Sequence, residues 1–168
     1  MKKHANKLIA AVAVVAILCG VGVSLLRAPL APEARFATLA GESLTTSGLR
    51  GQVVLLNFWA TSCAVCVAEM PKFAGLQTRF GAHGFTTLAV AMSYDHPNQV
   101  AAFAARAALP FKVALDTTGE VARRFGNVSA TPTTILIDRR GRIVKRVLGE
   151  PDWPAFTRLV ESLVAEPS

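Results

Sequence analysis

Apolar residues recur along the chain in short, nearly unbroken runs, which is the pattern of strands buried on both faces of a sheet. The clearest run is Val53–Trp59, which lies between Gly51 and a turn that contains cysteine. Residues 36–49 alternate weakly around glycines and indicate a short strand or hairpin. Further strands are predicted at residues 85–92, 111–115, Thr133–Ile137 and 142–148.

Stretches of helical periodicity separate these strands. Over Ala64–Phe80 apolar side chains recur every three or four residues, which predicts a helix with one buried stripe. Pro71 lies inside this helix and is expected to kink it. Further helices are predicted at residues 96–109, 118–125 and Trp153–Ala165, the last capped by Asp152.

The order of these elements predicts the fold class. Strands that alternate with helices indicate an α/β fold with a mixed, mostly parallel central sheet flanked by helices. The turn at residues 138–141 predicts a closing β-hairpin, which adds an antiparallel edge to that sheet.

An uninterrupted apolar segment, residues 8–26, precedes the predicted sheet. A helix of this length rises about 28 Å, close to the roughly 30 Å hydrocarbon core, so the segment predicts a transmembrane helix. Residues 1–7 carry three lysines and are expected in the cytoplasm, which puts everything after residue 27 on the far side. Residues 27–35 contain two prolines and predict a short extended linker.

Two other interpretations of this segment compete with an anchor. A cleaved signal peptide is one, but the apolar run exceeds the usual ~7–15 residues, and the nearby Ala28 and Ala31 are each followed by proline. A lipoprotein would use Cys19, yet Ile17 and Leu18 are not the small residues expected before it. We therefore favour an uncleaved anchor in the cytoplasmic membrane, with the following domain in the periplasm or outside.

The charge of the chain does not indicate a nucleic-acid partner. The chain has 18 basic and 11 acidic residues, of which 13 basic and 10 acidic residues follow residue 35. The part of the chain after residue 35 therefore has a net charge of +3, which is ordinary for a soluble surface. Basic residues nevertheless crowd the closing hairpin. We interpret them as a solvated turn, with contact to anionic headgroups as the alternative. They are Arg139, Arg140, Arg142, Lys145 and Arg146.

Cys63 and Cys66 carry the chemistry predicted for this chain. They lie where a buried strand meets a helix N-terminus, and a spacing of three puts both sulfurs on one helical face. The free N–H groups and the dipole of the first turn are expected to stabilise a thiolate and to lower the pKa of Cys63. Cys63 is therefore predicted to be the nucleophile, and Cys66, on the apolar stripe, to be the buried thiol that resolves the mixed disulfide.

Three simpler interpretations compete with redox chemistry. A structural disulfide between these cysteines closes a loop too small to restrain the unfolded chain much. A metal site wants more ligands, and His4, His83 and His96 do not cluster in the sequence. C-x-x-C is also short enough to arise by accident, but its place between a strand and a helix favours redox chemistry.

The segment F-W-A-T-S-C-A-V-C at residues 58–66, followed by Glu69 and Pro71 and far downstream by A-T-P-T at 130–133, resembles the thioredoxin superfamily. Within it, the chain is similar to the TlpA/ResA/CcmG-like membrane-anchored disulfide reductases. The resemblance implies a thioredoxin-like domain over residues 36–168. No metal is expected, and no cofactor beyond a redox-active disulfide.

The resemblance also implies roles for individual residues. Trp59 corresponds to the aromatic residue that packs beneath the site, and Pro71 to the proline that bends the active-site helix. Pro132 corresponds to the cis-proline that faces the disulfide, which leaves Thr131 to bind an extended substrate strand through its backbone. Trp59, Thr131 and Pro132 are therefore the expected substrate-binding residues. Glu69 corresponds to the acidic residue of this branch.

Glu69 is a candidate to accept the proton of the second cysteine during resolution, the alternative being that it only favours the positive helix N-terminus. Asn57 stands where thioredoxins proper carry a buried aspartate. The chain departs from the family at Ser62, which replaces a tryptophan, at Val67, which replaces a frequent basic residue, and at residues 64–65, which lack a proline. These departures affect the expected redox potential and choice of partner.

The expected activity is reduction of disulfides in exported proteins, apocytochrome c being the family's typical substrate. The electrons would come from a membrane donor whose identity the sequence does not reveal. Two alternatives remain open. A Cu(I)-handling protein would hold the ion on two thiolates, although no His or Met ligand motif lies nearby. A thiol peroxidase would want threonine three residues before the nucleophile, but Thr61 lies only two before Cys63.

Overall fold

The computed structural model describes residues 28–167. The predicted anchor at residues 8–26 and the basic tail at 1–7 lie outside this range. Within the described residues, no helix combines the length and the apolar character that crossing a membrane requires.

Seven strands form one sheet. They are β1 (Arg35–Thr38), β2 (Ser43–Thr45), β3 (Val53–Trp59), β4 (Phe85–Ala91), β5 (Lys112–Leu115), β6 (Thr133–Ile137) and β7 (Ile143–Leu148). All residues of β3 are buried, as its nearly unbroken apolar run predicts. The weakly alternating segment before it forms the hairpin of β1 and β2.

Four α-helices flank the sheet within residues 28–167. They are α1 (Ala64–Phe80), α2 (Pro97–Arg106), α3 (Glu120–Arg124) and α4 (Trp153–Ala165). The bounds of α1 and α4 agree with the sequence prediction, and Asp152 caps α4 by accepting a hydrogen bond from the backbone N–H of Ala155 at 3.0 Å. The buried residues of α1 include the predicted apolar stripe from Cys66 to Phe80.

The order of strands in the sheet is β2-β1-β5-β4-β3-β6-β7. Only the β3–β4 and β4–β5 pairs are parallel, and the other four pairings are antiparallel. The prediction of a mostly parallel sheet was therefore wrong, because it assumed that every helix returns the chain to the same end of the sheet. Helix α3 has five residues and rises about 8 Å, too little to cross back, so β6 begins at the end where β5 finished.

This reversal determines where the candidate site forms. In the antiparallel pairing of β3 with β6, Phe58 lies opposite Thr133. The last residues of β3, which lead into the cysteine turn, therefore lie beside the first residue of β6, which follows Pro132. One core cluster, containing Trp59 and Cys66, fills the α1 and α4 face of the sheet. A second cluster fills the opposite face.

The closing hairpin and the predicted linker meet at the other end of the sheet. The hairpin turn is formed as expected, with the N–H of Gly141 donating to the carbonyl of Asp138 at 2.9 Å. Leu30 forms an isolated antiparallel bridge with Arg142. The N–H of Ala31 donates to the carbonyl of Gly141 at 2.8 Å. The described part of the linker thus lies along the start of β7.

Candidate active site

The two cysteines form a disulfide at the start of α1. Their sulfur atoms are 2.09 Å apart and their Cα atoms 5.2 Å apart. Cys63 is the N-cap of α1, and its sulfur accepts a hydrogen bond from the backbone N–H of Cys66 at 3.2 Å. A sulfur in this position takes the place of a capping oxygen and satisfies a free N–H of the first turn.

The two sulfur-bearing residues differ in exposure. Cys66 is 0% exposed and belongs to the core beneath the sheet. Cys63 is half-buried and packs against the edge of the same core. Of the two, Cys63 is therefore the one that another protein can reach, and Cys66 is buried as its place on the apolar stripe predicts. The roles of nucleophile and resolving thiol stay predictions.

Thr131 and Pro132 lie beside the cysteine turn at the same end of the sheet, and the peptide bond between them is cis. The carbonyl of Pro132 accepts the N–H of Gly149 at 2.9 Å. On the other side, the hydroxyl of Thr133 donates to the carbonyl of Ala130 at 2.7 Å. Hydrogen bonds on both sides thus hold the predicted substrate-binding loop.

Glu69 lies one turn after Cys66 on the same face of α1, so it is buried and not on the surface. It is 1% exposed, and neither carboxylate oxygen has a hydrogen-bond partner among residues 28–167. Burial, and to a smaller extent the nearby charge of Glu150, raise the pKa of Glu69 to about 7, although the charge of Lys72 opposes the rise. A carboxyl group with this pKa takes up and releases a proton near neutral pH.

A three-residue cluster next to Glu69 was not foreseen from the sequence. The ammonium group of Lys72 lies 2.6 Å from the carboxylate of Glu150 and 4.8 Å from the ring centroid of Trp153. The indole N–H of Trp153 donates to the same carboxylate oxygen at 2.8 Å. The hydrogen bonds from Lys72 and Trp153 lower the pKa of Glu150, so Glu150 stays charged over the neutral range in which Glu69 takes up and releases a proton.

The loop between β4 and α2 contacts both the cysteine turn and the cis-proline loop, and no local sequence pattern indicates either contact. The carboxylate of Asp95 accepts the backbone N–H of Thr61 at 2.6 Å and its hydroxyl at 2.7 Å. The neighbouring Tyr94 is 61% exposed, and its hydroxyl lies 3.3 Å from that of Thr131. Adjacent residues therefore contact the segment before the cysteines and the residue before the cis-proline.

Trp59 and Asn57 support the site from within the core. Trp59 is 0% exposed and packs against Phe103 of α2, with ring centroids 5.2 Å apart. Its burial leaves no surface for substrate, so Trp59 lies beneath the site and supports the cysteine turn. The side-chain amide of Asn57 donates to the hydroxyl of Thr134 at 3.0 Å and links β3 to β6.

The copper and peroxidase alternatives gain no new support from this geometry. Among residues 28–167, no group of three or more His, Cys, Asp or Glu side chains is arranged to hold a metal ion. In this part of the chain, Cys63 and Cys66 are the cysteines that can present thiolates when reduced. Both alternatives stay untested predictions.

Comparison with known proteins identifies the family. The family model described as Redoxin matches residues 28–163. The thiol-disulfide oxidoreductase ResA of Bacillus thuringiensis subsp. konkukian (strain 97-27) is 31% identical over 163 residues, covering 89% of this chain and 91% of that protein. The thioredoxin-like protein YneN of Bacillus subtilis (strain 168) is 37% identical over 115 residues, covering 67% of this chain and 66% of YneN.

A solved structure agrees with these sequence relatives. The crystal structure of a thiol:disulfide interchange protein of the thioredoxin family from Chlorobium tepidum TLS aligns with a TM-score of 0.74 at 25% identity. The alignment covers 83% of this chain and 98% of the other. The chain belongs to the redoxin family of the thioredoxin superfamily, and it is a ResA/CcmG-like thiol:disulfide oxidoreductase.

Proposed function

We propose that this chain reduces disulfides of exported proteins, apocytochrome c first among them, on the outer side of the cytoplasmic membrane. The observation that carries the proposal is the contrast between the accessible Cys63 and the buried Cys66, with the buried Glu69 one turn further along α1. In this arrangement the Cys63 sulfur can reach a disulfide in a large protein substrate. The second thiol and its proton acceptor are sheltered from solvent.

The proposed cycle starts from the reduced chain. The Cys63 thiolate attacks one sulfur of the substrate disulfide, which forms a mixed disulfide and releases the other substrate sulfur as a thiolate. Glu69 then takes the proton of Cys66, and the resulting thiolate attacks the Cys63 sulfur. The second substrate sulfur leaves as a thiolate, and the chain is left with its Cys63–Cys66 disulfide. Two electrons from a membrane donor then reduce this disulfide, and Glu69 returns its proton to Cys66, which restores the starting thiolate and thiol.

The substrate would bind beside the cis-proline. The backbone of Thr131 offers hydrogen bonds to an extended strand, and Pro132 has no N–H that would compete for them. Such pairing uses the main chain of the substrate and so fits an unfolded exported protein. Substrate side chains would then contact the exposed Val65 and Tyr94 near the disulfide.

Location outside the cytoplasm is the second part of the proposal. Its support is the apolar segment at residues 8–26 with the lysines that precede it. Extraction of membranes with alkaline carbonate should leave the full-length chain in the pellet. Protease added to spheroplasts should digest the domain. Release by carbonate, or protection from protease, would rule out this location.

The substrate is tested with a peptide that carries an oxidised C-x-x-C-H sequence, the haem-attachment pattern. Reduced chain should reduce it, and Cys66→Ser should accumulate a mixed disulfide through Cys63. Cys63→Ser is the matched control and should trap nothing. Absence of trapping and of reduction would overturn the reductase proposal.

A second peptide separates the substrate from the general activity. It has the same composition and the same disulfide spacing but lacks the histidine next to the second cysteine. Slower reduction of this peptide supports a haem-site substrate. Equal rates with the two peptides would reject apocytochrome c as the preferred substrate and leave a general reductase.

A further inference from the structure

The segment that leads from the predicted anchor into the domain is held against the closing hairpin. The guanidinium of Arg142 donates to the carbonyl of Ala28 at 2.8 Å. The N–H of Ile143 donates to the carbonyl of Pro29, also at 2.8 Å. The domain is therefore fixed to its tether at the first described residues and does not hang from a long flexible linker.

This attachment limits the distance between the hairpin and the membrane. Ala28 is two residues beyond the end of the apolar segment at residues 8–26. An extended chain spans at most about 3.6 Å per residue, so the last apolar residue lies within about 7 Å of Ala28. The headgroup layer on each side of the hydrocarbon core is roughly 5–8 Å thick. The hairpin that holds Ala28 thus lies next to the headgroups of any bilayer that contains the segment.

The surface at this end of the sheet is strongly basic. We name Arg50, Arg139, Arg140 and Arg142 the basic tip. Arg50 lies beside the hairpin turn, because the N–H of the next residue, Gly51, donates to the carbonyl of Arg139 at 2.8 Å. Asp138 lies within the same turn, and its carboxylate already accepts the backbone N–H groups of Arg140 and Arg142 at 2.9 and 2.8 Å. Glu33 and Glu166 lie near the edge of the tip, because Glu33 binds Ser47 and Glu166 follows the Val164 that contacts Arg139. Arg50 and Arg140 are exposed.

We propose that the basic tip lies against anionic phospholipid headgroups of the membrane in which the chain is anchored. The distance of about 7 Å between Ala28 and the last apolar residue is no larger than the screening length of about 8 Å at physiological ionic strength, so the basic tip and the headgroups attract each other across it. The redox site then points away from the membrane. It lies at the other end of β6, about 14 Å from the hairpin along the strand. This inference rests on the anchor included in the proposed function.

The test uses the full chain in nanodiscs, either of phosphatidylcholine alone or of phosphatidylcholine mixed with phosphatidylglycerol. Each contains a trace of lipid with a spin-labelled headgroup, and the readout is paramagnetic broadening of backbone amide signals. Amides of residues 139–143 should broaden several-fold more in the anionic discs, and less as salt is added. Amides of residues 61–66 should broaden in neither, because they lie at the far end of the sheet.

Charge reversal supplies the matched controls. Arg140→Glu and Arg50→Glu should each reduce the broadening of residues 139–143 in anionic discs. Arg158→Glu changes the net charge by the same amount at an exposed position on α4. It lies about 9 Å along the helix from Val164, which contacts Arg139. This variant should leave the broadening unchanged.

The possible failures differ from one another. A chain that does not insert into the discs would overturn both the anchor and this inference. Insertion with equal broadening in the two lipids would overturn the inference and leave the anchor intact. If Arg140→Glu and Arg158→Glu reduce the broadening equally, the inference is also overturned and the anchor is unaffected, because the attraction then depends on the net charge of the domain and not on the basic tip.

Discussion

Asp95 holds Thr61 through two hydrogen bonds, one from the backbone N–H at 2.6 Å and one from the hydroxyl at 2.7 Å. Thr61 lies two residues before Cys63, in the turn that leads from β3 to α1. The same loop places Tyr94 against Thr131. The segment between β4 and α2 therefore sets the position of the cysteine turn relative to the cis-proline loop.

Removal of the Asp95 carboxylate should slow the chemistry of Cys63. In Asp95→Ala, the N–H and hydroxyl of Thr61 lose a charged acceptor, and each such bond contributes about 1.5–3 kcal/mol at most. We expect the rate of attack by reduced Cys63 on a small aromatic disulfide to fall about tenfold. Asp95→Asn keeps one acceptor oxygen and should recover part of the rate. Stopped-flow absorbance measures both.

Asp152→Ala is the control for general destabilisation. It removes a single capping bond to Ala155 at the start of α4 and should cost about 1 kcal/mol of stability. Its rate of attack should equal that of the wild type. A rate as slow as that of Asp95→Ala would mean that the Asp95 effect is only loss of stability.

Glu69 should make the stability of the oxidised chain depend on pH. Its pKa is raised from 4.5 to about 7 in the folded state, so the folded chain holds a proton that the unfolded chain has released. The stabilisation is complete below pH 4.5 and is lost as the pH rises through 7. Across this pH range the free energy of unfolding should fall by about 3 kcal/mol. Denaturant unfolding at a series of pH values measures it.

Glu69→Gln provides the comparison, because glutamine keeps the size of the side chain and does not titrate. The pH dependence of its unfolding free energy should be flatter across this window, by about the same 3 kcal/mol. Parallel curves for the two proteins would show that the folded environment does not hold a proton on Glu69.

Glu150 should influence the resolving step through its effect on Glu69. Its carboxylate repels a charged Glu69 and also engages Lys72 at 2.6 Å. Glu150→Gln removes the repulsion between the two carboxylates. It also weakens the ion pair of Lys72, whose positive charge is then freer to stabilise an ionised Glu69. For both reasons the pKa of Glu69 should fall. The pH profile for release of substrate thiol from the mixed disulfide should then move to lower pH. Quenched-flow measurements across the neutral range detect the shift.

A second ion pair between α1 and α4 provides the control, because breaking it removes a surface ion pair without changing the charge next to Glu69. Arg79 and Glu161 lie 2.8 Å apart and are both exposed, and such pairs contribute about 0–1 kcal/mol. Glu161→Gln should leave the pH profile of the resolving step where it is. If Glu150→Gln behaves in the same way, Glu150 has no part in setting the proton affinity of Glu69.

Local patterns in the sequence were enough to predict the elements that make the chemistry. The apolar run of β3, the stripe of α1 and the cysteine spacing each depend on residues that are close in the chain. The direction of β6 was not predictable in this way. It depends on α3 being too short to cross the sheet, and element boundaries are what sequence patterns determine least well.

The missed site residues share a single cause. Asp95 contacts Thr61 across 34 positions of sequence, and Glu150 contacts Lys72 across 78. Neither contact follows from a periodicity, since each depends on which strands become neighbours. An aspartate after β4 and a glutamate after β7 are ordinary loop residues until the sheet order brings both to the end that carries the cysteines.

Tyr94 should affect binding of a protein substrate more than the reactivity of the disulfide. Tyr94→Phe removes the hydrogen bond to Thr131 and keeps the aromatic ring. A neutral bond at an exposed position contributes about 0.5–1 kcal/mol, so we expect KM for a peptide disulfide to rise roughly threefold with little change in kcat. Alkylation of reduced Cys63 by iodoacetamide does not use Thr131 and should proceed at the wild-type rate. Tyr94→Ala also loses the ring and should raise KM further. If both variants alkylate more slowly, Tyr94 instead positions the cysteine turn, and its effect should then resemble that of Asp95→Ala.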